Sequence, residues 1–152
     1  MLSRYKAIIS LLENGVTQLP ITSIQVKNII KKYGWDIVEY SLESNIHIKL
    51  LDKYNVLSIA ERSKAFTVKS IDEQLVFIRA GLSANDRRLL LAHELGHIVL
   101  GHMSDCSVLG YTPAGLIDEG QEDEANEFAL EFLAPTCILS QKRINTPQLI
   151  SA

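Results

Sequence analysis

The chain has 152 residues, 47% hydrophobic and 22% charged, with a net charge of −3. That length suits one domain, which can bury roughly 70% of its unfolded surface without a disulfide staple. The acidic balance argues against a direct nucleic-acid binder, and no apolar run approaches the roughly 20 residues that span a bilayer.

Residues 3–13 read as a short helix closed by Asn14 and Gly15. A second helix starts at Thr22 or Ser23, carries Ile24, Val26, Ile29 and Ile30 at near-helical spacing, and stops at Gly34. Four runs rich in β-branched or aromatic residues follow, at 35–40, 46–51, 65–68 and 75–78, and all four read as strands. Turn-forming residues separate them, at 44–45, 52–55 and 72–73.

Next comes a strong helix, capped by Ser83 or Asn85, with Asp86 in its first turn. It runs through RRLLLAHELGHIVL and frays at Gly101. Residues 103–117 hold Gly110, Pro113 and Gly115 and read as a loop. A last helix covers residues 118–133 and stops before Pro135. Helices, then strands, then helices predict an α+β fold with a small antiparallel sheet. No repeat, low-complexity tract or linker breaks the chain, so a single domain over residues 1–152 is expected. The N-terminus lacks a signal-peptide pattern. Cys106 and Cys137 therefore read as free thiols, and the expected location is cytoplasmic.

The chemistry concentrates in His93-Glu94-Leu95-Gly96-His97. Residues four apart on a helix differ by about 40° of rotation, so both imidazoles leave one face and can hold one tetrahedral cation. Zinc suits such nitrogen ligands. It also lowers the pKa of a bound water from 15.7 to about 7, so that Glu94 can act as the base at neutral pH. HExxH also arises by chance. Here it lies in an amphipathic helix, where Leu89, Leu90, Ala92, Leu95, Ile98 and Val99 can enter a core. Gly96 costs roughly 1 kcal/mol of helix propensity against alanine, which suggests close approach by another element or by substrate.

Catalytic zinc sites usually have a third protein ligand. His102 has the wrong spacing. The metzincin pattern requires Gly at 100 and His at 103, where this chain has Leu100 and Met103. On a continuing helix His102 would stand about 140° from His97, so it reads as a surface histidine or one behind a ligand. The acidic helix offers a better candidate. Ala125, Phe128, Ala129, Phe132 and Leu133 form its apolar stripe, and Glu122 shares that face. An inward carboxylate is costly unless it is paired or bound to metal. Glu122 is favoured over Glu124, and Asn126 is placed to hydrogen-bond a ligand.

The motifs AHELGH (residues 92–97) and EDEANEFALEFLAP (residues 122–135) together resemble the ImmA/IrrE family of small zinc metallopeptidases. The second motif of that family runs approximately ExEANxFAxxLLxP, with Phe132 here replacing its first leucine. The resemblance covers about residues 20–135. It implies a zincin-like fold, in which the HExxH helix and a second ligand-bearing helix pack with the sheet. It also implies Zn2+ bound by His93, His97 and Glu122. A related Glu-x-x-Ala-Asp/Asn arrangement in HtpX-like peptidases points to Glu122 as the third ligand. Family members cleave helix-turn-helix transcriptional repressors of mobile elements or stress responses, so the implied partner is a protein of that kind. Members usually continue with more helices, and residues 146–150 look like the start of one. A shortened C-terminus is therefore expected.

The expected mechanism is hydrolysis of a peptide bond, with Glu94 moving the proton. Tyr111 is a candidate oxyanion donor, though a structural role suits it better. Residues 75–78 could offer a strand edge to an extended substrate. Peptide deformylase also uses HExxH, but it needs an upstream cysteine that this chain lacks. The rival from another class is a non-catalytic, zinc-stabilised module acting as an antirepressor or antitoxin-like partner.

Overall fold

A computed structural model describes residues 2–16, 20–102, 108–111 and 116–135. Most of the expected loop at 103–117, both cysteines and the helix start at 146–150 lie outside the described residues.

The first helix, α1, spans Leu2–Glu13 and the second, α2, spans Ser23–Lys32. Thr22 caps α2 in a full capping box with Gln25, and the chain leaves past Gly34 at φ +88°. Strand β1 is Asp36–Tyr40, β2 is Ala65–Lys69 and β3 is Gln74–Arg79. The sheet order is β1-β3-β2, and the sheet is mixed rather than wholly antiparallel. A hairpin joins β2 to β3, and β1 runs parallel to β3.

Residues 46–51 are not a strand. They belong to helix α3, Asn45–Lys53, which is followed by a short helix α4, Leu57–Arg62. Ile46, Ile48 and Leu50 alternate as a strand would, but Ile46 is 78% exposed and Leu51 is the residue α3 buries. The Ser44 side chain accepts from the His47 amide and starts the helix. Capping together with helical spacing thus outweighs β-branching. Asn55, at φ 57°, turns the chain from α3 into α4.

Two further helices complete the fold, α5 at Ala84–Val99 and α6 at Glu119–Leu133. Side chains alternate across the sheet. Ala65, Val76 and Ile78 join a core with α1, α2, α5 and α6, while Phe66, Val68, Leu75 and Phe77 join a second core with α3 and α4. Both faces of β2 and β3 are therefore covered, which explains their nearly unbroken apolar sequence. Tyr40 ties the layers together. Its hydroxyl donates to the Ser63 carbonyl at 2.7 Å, at the junction where α4 enters β2.

Helices α5 and α6 cross at Gly96. A Cβ there would lie 3.1 Å from the Ala125 carbonyl oxygen and 3.1 Å from Phe128 Cδ1. Both neighbours are fully buried, so neither can move aside freely. The close approach suggested by Gly96 is thus by another element, α6. Replacing Gly96 with Val should lower the unfolding free energy by about 2 kcal/mol through overpacking, measured by urea denaturation. An unchanged midpoint would refute the tight crossing.

Candidate metal centre

One turn of α5 carries His93, Glu94 and His97 to the place where α6 begins. Asp118 caps α6, its side chain accepting from the Gln121 amide, and Glu122 sits in the first turn. The three candidate ligands converge. His93 Nε2 and His97 Nε2 are 3.2 Å apart. Glu122 Oε1 lies 2.9 Å from His93 Nε2, and Oε2 lies 3.0 Å from His97 Nε2. Around a tetrahedral zinc with bonds of about 2.0–2.1 Å, neighbouring ligand atoms stand roughly 3.3 Å apart. The observed spacings come close to that. Two imidazole nitrogens and a carboxylate facing one another make a set of lone pairs that one divalent cation would satisfy. The donor set therefore fits a metal ion.

The electrostatics agree with the geometry. Burial raises the Glu122 carboxyl, but the close contacts and charges of His93 and His97 outweigh it and bring the pKa down to about 2. Burial lowers His93, but the Glu122 hydrogen bond and the charges of Glu94 and Glu122 leave it above the ordinary imidazole value. Each group favours the charged state of the other, and a bound cation would take the place of the imidazole proton. Asn126, one turn after Glu122, lines the cleft beside His93 and adds to the upward pull on its pKa.

Glu94 is only 4% exposed, yet it lines a cleft of about 260 Å³ with His93 and Glu122. Thr67 Oγ1, on β2, donates to Glu94 Oε2 at 2.6 Å. Glu94 Oε1 makes no hydrogen bond among the described residues, so it is the oxygen left for chemistry. Sequence reasoning missed Thr67. It sits in a continuous apolar run, and only its two-residue offset from Ala65 places it on the α5 face.

His102 is not at the surface. It is 6% exposed, with Nδ1 2.9 Å from His97 Nδ1 and Nε2 3.5 Å from Glu124 Oε1. Burial and the neighbouring His97 charge hold its pKa below the ordinary value. Glu124, the alternative third ligand, thus faces His102 and not the His93–His97 pair. The Tyr111 hydroxyl stands 3.4 Å from Ser63 Oγ, and its ring packs on the second core. Gly110, at φ +80°, lies flat against the His97 ring. A Cβ there would fall 2.6 Å from Cε1 and 2.9 Å from Nε2.

Two predictions follow from these contacts. In a double-mutant cycle of Thr67→Val and Glu94→Gln, unfolding free energies should show coupling of about 1.5–3 kcal/mol, as for a hydrogen bond to a buried charge. Simple additivity would remove Thr67 from the site. Gly110→Ala should weaken binding of a divalent metal by roughly tenfold or more in a chelator competition, because the methyl group displaces the ring of a candidate ligand. Unaltered affinity would mean that the loop yields.

A family model described as the IrrE N-terminal-like domain, a peptidase family, matches residues 47–146. Comparison with curated proteins finds no match, and comparison with solved structures finds none. The family match covers about two thirds of the chain. It begins in α3 and takes in both motif-bearing helices, together with Thr67 and the β2–β3 hairpin. The chain therefore belongs to the IrrE N-terminal-like peptidase family, with an α+β, zincin-like fold.

Proposed function

We propose that this protein is a zinc-dependent endopeptidase that cleaves a helix-turn-helix transcriptional repressor in the cytoplasm. The convergence of His93, His97 and Glu122 within 4.8 Å, beside Glu94 on a cleft wall, carries this reading. His93 Nε2, His97 Nε2 and the Glu122 carboxylate would hold the ion. Bound zinc supplies Lewis acidity toward a carbonyl oxygen and toward water. Glu94 Oε1 takes the proton from the attacking water and later gives it to the leaving amine. Thr67 keeps the Glu94 carboxylate turned to the cleft while this happens.

The sheet suggests how a peptide lies there. β3 is the central strand, so it offers no edge, contrary to the expectation for residues 75–78. The edge beside the cleft belongs to β2. Lys64 accepts from the Arg79 amide and Ser70 donates to Glu73, so even-numbered residues of this hairpin pair with β3. Odd-numbered residues then face outward. Thr67 already accepts from the Leu109 amide. Ala65 is left with its N–H and C=O toward the cleft that His93 and Glu94 line. A substrate strand would pair there. The repressor as substrate rests on the family resemblance, and no helix among the described residues is long and apolar enough to cross a membrane.

The test is elemental analysis of dialysed protein, followed by incubation with a helix-turn-helix repressor as substrate. Wild type should carry about one zinc per chain, and His97→Ala and Glu122→Ala should carry much less. Glu94→Gln should keep its zinc and lose at least about 100-fold in cleavage rate. Full activity in Glu94→Gln would sink the mechanism. Binding of the repressor without cleavage by wild type would favour the zinc-stabilised antirepressor or antitoxin-like module instead.

A further inference from the structure

The turn that ends α5 does more than stop a helix. Leu100 is the C-cap, and Gly101 follows at φ +68°, in the left-handed region. The His102 amide donates to the His97 carbonyl at 3.0 Å, and the Gly101 amide to the Ile98 carbonyl at 3.2 Å. These are the two bonds of a Schellman motif. In that motif the residue after the glycine folds back over the residue five positions earlier. An apolar contact usually closes the gap. Here the two residues are His102 and His97, and their Nδ1 atoms meet at 2.9 Å.

We infer that His102 is a positioning residue, which holds His97 in the tautomer with its proton on Nδ1 and its Nε2 bare toward the metal position. This inference rests on the metal site proposed above.

The direction of the proton chain follows from its far end. Glu124 is acceptor-only when ionised, and its Oε1 faces His102 Nε2 at 3.5 Å. His102 Nε2 makes no hydrogen bond among the described residues, so Glu124 acts on it as a nearby charge, which favours a proton on that nitrogen. A neutral imidazole carries one proton, so His102 Nδ1 is then an acceptor. Two bare nitrogens would not approach to 2.9 Å, so His97 Nδ1 must carry the shared proton. His97 Nε2 is left as a lone pair, which is what a metal ligand requires. The opposite orientation, which Glu122 Oε2 favours from 3.0 Å, would put a proton on His97 Nε2 and point it at the metal position, and His102 opposes it by accepting at Nδ1. His102 and His97 are 6% and 2% exposed, so water competes little for either Nδ1. Glu124 thus acts on the site at one remove, through His102. His93 has a different support, the Asn126 side chain.

Zinc affinity by chelator competition, with histidine tautomers read by long-range proton–nitrogen NMR, tests this on the full chain. The variants are His102→Leu, which fills the space without an acceptor, and His102→Asn, whose Oδ1 replaces Nδ1 as acceptor. His102→Leu should bind zinc about 10–100-fold more weakly than wild type, and His102→Asn should recover to within a few-fold. In metal-free wild type, at a pH where imidazoles are neutral, His97 should show its proton on Nδ1. In His102→Leu that proton should move to Nε2, where Glu122 accepts it. Circular dichroism and thermal melts confirm that each variant folds. Unchanged affinity in His102→Leu would overturn the role of His102 and leave the metal site standing. So would an Nε2 proton on His97 in wild type, or a folded His102→Asn as weak as the leucine variant. Wild type that binds no zinc would overturn the metal reading and this inference together. If His102→Leu does not fold, the wild-type tautomer and the asparagine variant still decide the matter.

Discussion

The structure is organised around the cost of burying polar groups. One turn of α5 places two imidazoles and a carboxylate where water scarcely reaches, and each would be prohibitive there without a partner. Every one has a partner, and each partner comes from a different direction. Thr67 arrives from β2, Glu122 and Asn126 from α6, and His102 from the reversal at the end of α5 itself. The placement of the sheet, the approach of α6 and the form of the terminating turn are thus conditions on one short stretch of helix. Two glycines complete the arrangement by what they lack. Gly96 lets α6 come close enough for Glu122 to reach the histidines, and Gly110 leaves the outer face of His97 uncovered by a side chain.

Much of this was legible in the sequence because it obeyed local rules. The HELGH spacing needs only helical geometry to bring His93 and His97 together, and Glu122 could be found from the buried stripe it shares with Ala125. Ser83, one of the two caps the sequence offered for α5, is an ordinary oxygen acceptor at a helix start. What escaped was non-local. α3 alternates apolar residues like a strand, and the Ser44 cap with the burial of Leu51 in the second core decides in favour of a helix. Parallel pairing of β1 with β3 depends on a long connection through α3 and α4, which no residue pattern announces. Thr67 was invisible for a related reason. Its importance comes from a helix 27 positions later in the chain. Of the two places read for His102, the structure shows the one behind a ligand, reached because Gly101 ends the helix.

The two cores divide the labour. The α3–α4 side contains stacked and edge-on aromatic rings, with Phe66 and Phe77 centroids 5.1 Å apart, and it stiffens the back of the hairpin. The α5–α6 side holds the polar cluster within aliphatic and phenylalanine packing. A rigid strand pair between them holds Thr67 steady against Glu94. Positioning of this kind costs no reorganisation when charge moves, which is how a fixed environment favours proton transfer.

The narrow opening along β2 has a consequence for selectivity. Ser63 gives its carbonyl to Tyr40, Lys64 gives its carbonyl to Arg79, and Thr67 gives its carbonyl to Leu109. Among the described residues, what remains for a visiting chain near the cleft is little more than Ala65, and two backbone hydrogen bonds contribute only about 1 kcal/mol each. A digestive protease grips many residues by their main chain and so tolerates almost any sequence. A cleft with so short a handhold must take its affinity from elsewhere on the visitor. If the cleft cleaves peptides as proposed, bystander proteins that expose an unfolded stretch would pass by uncut, a safeguard built into the geometry of the edge.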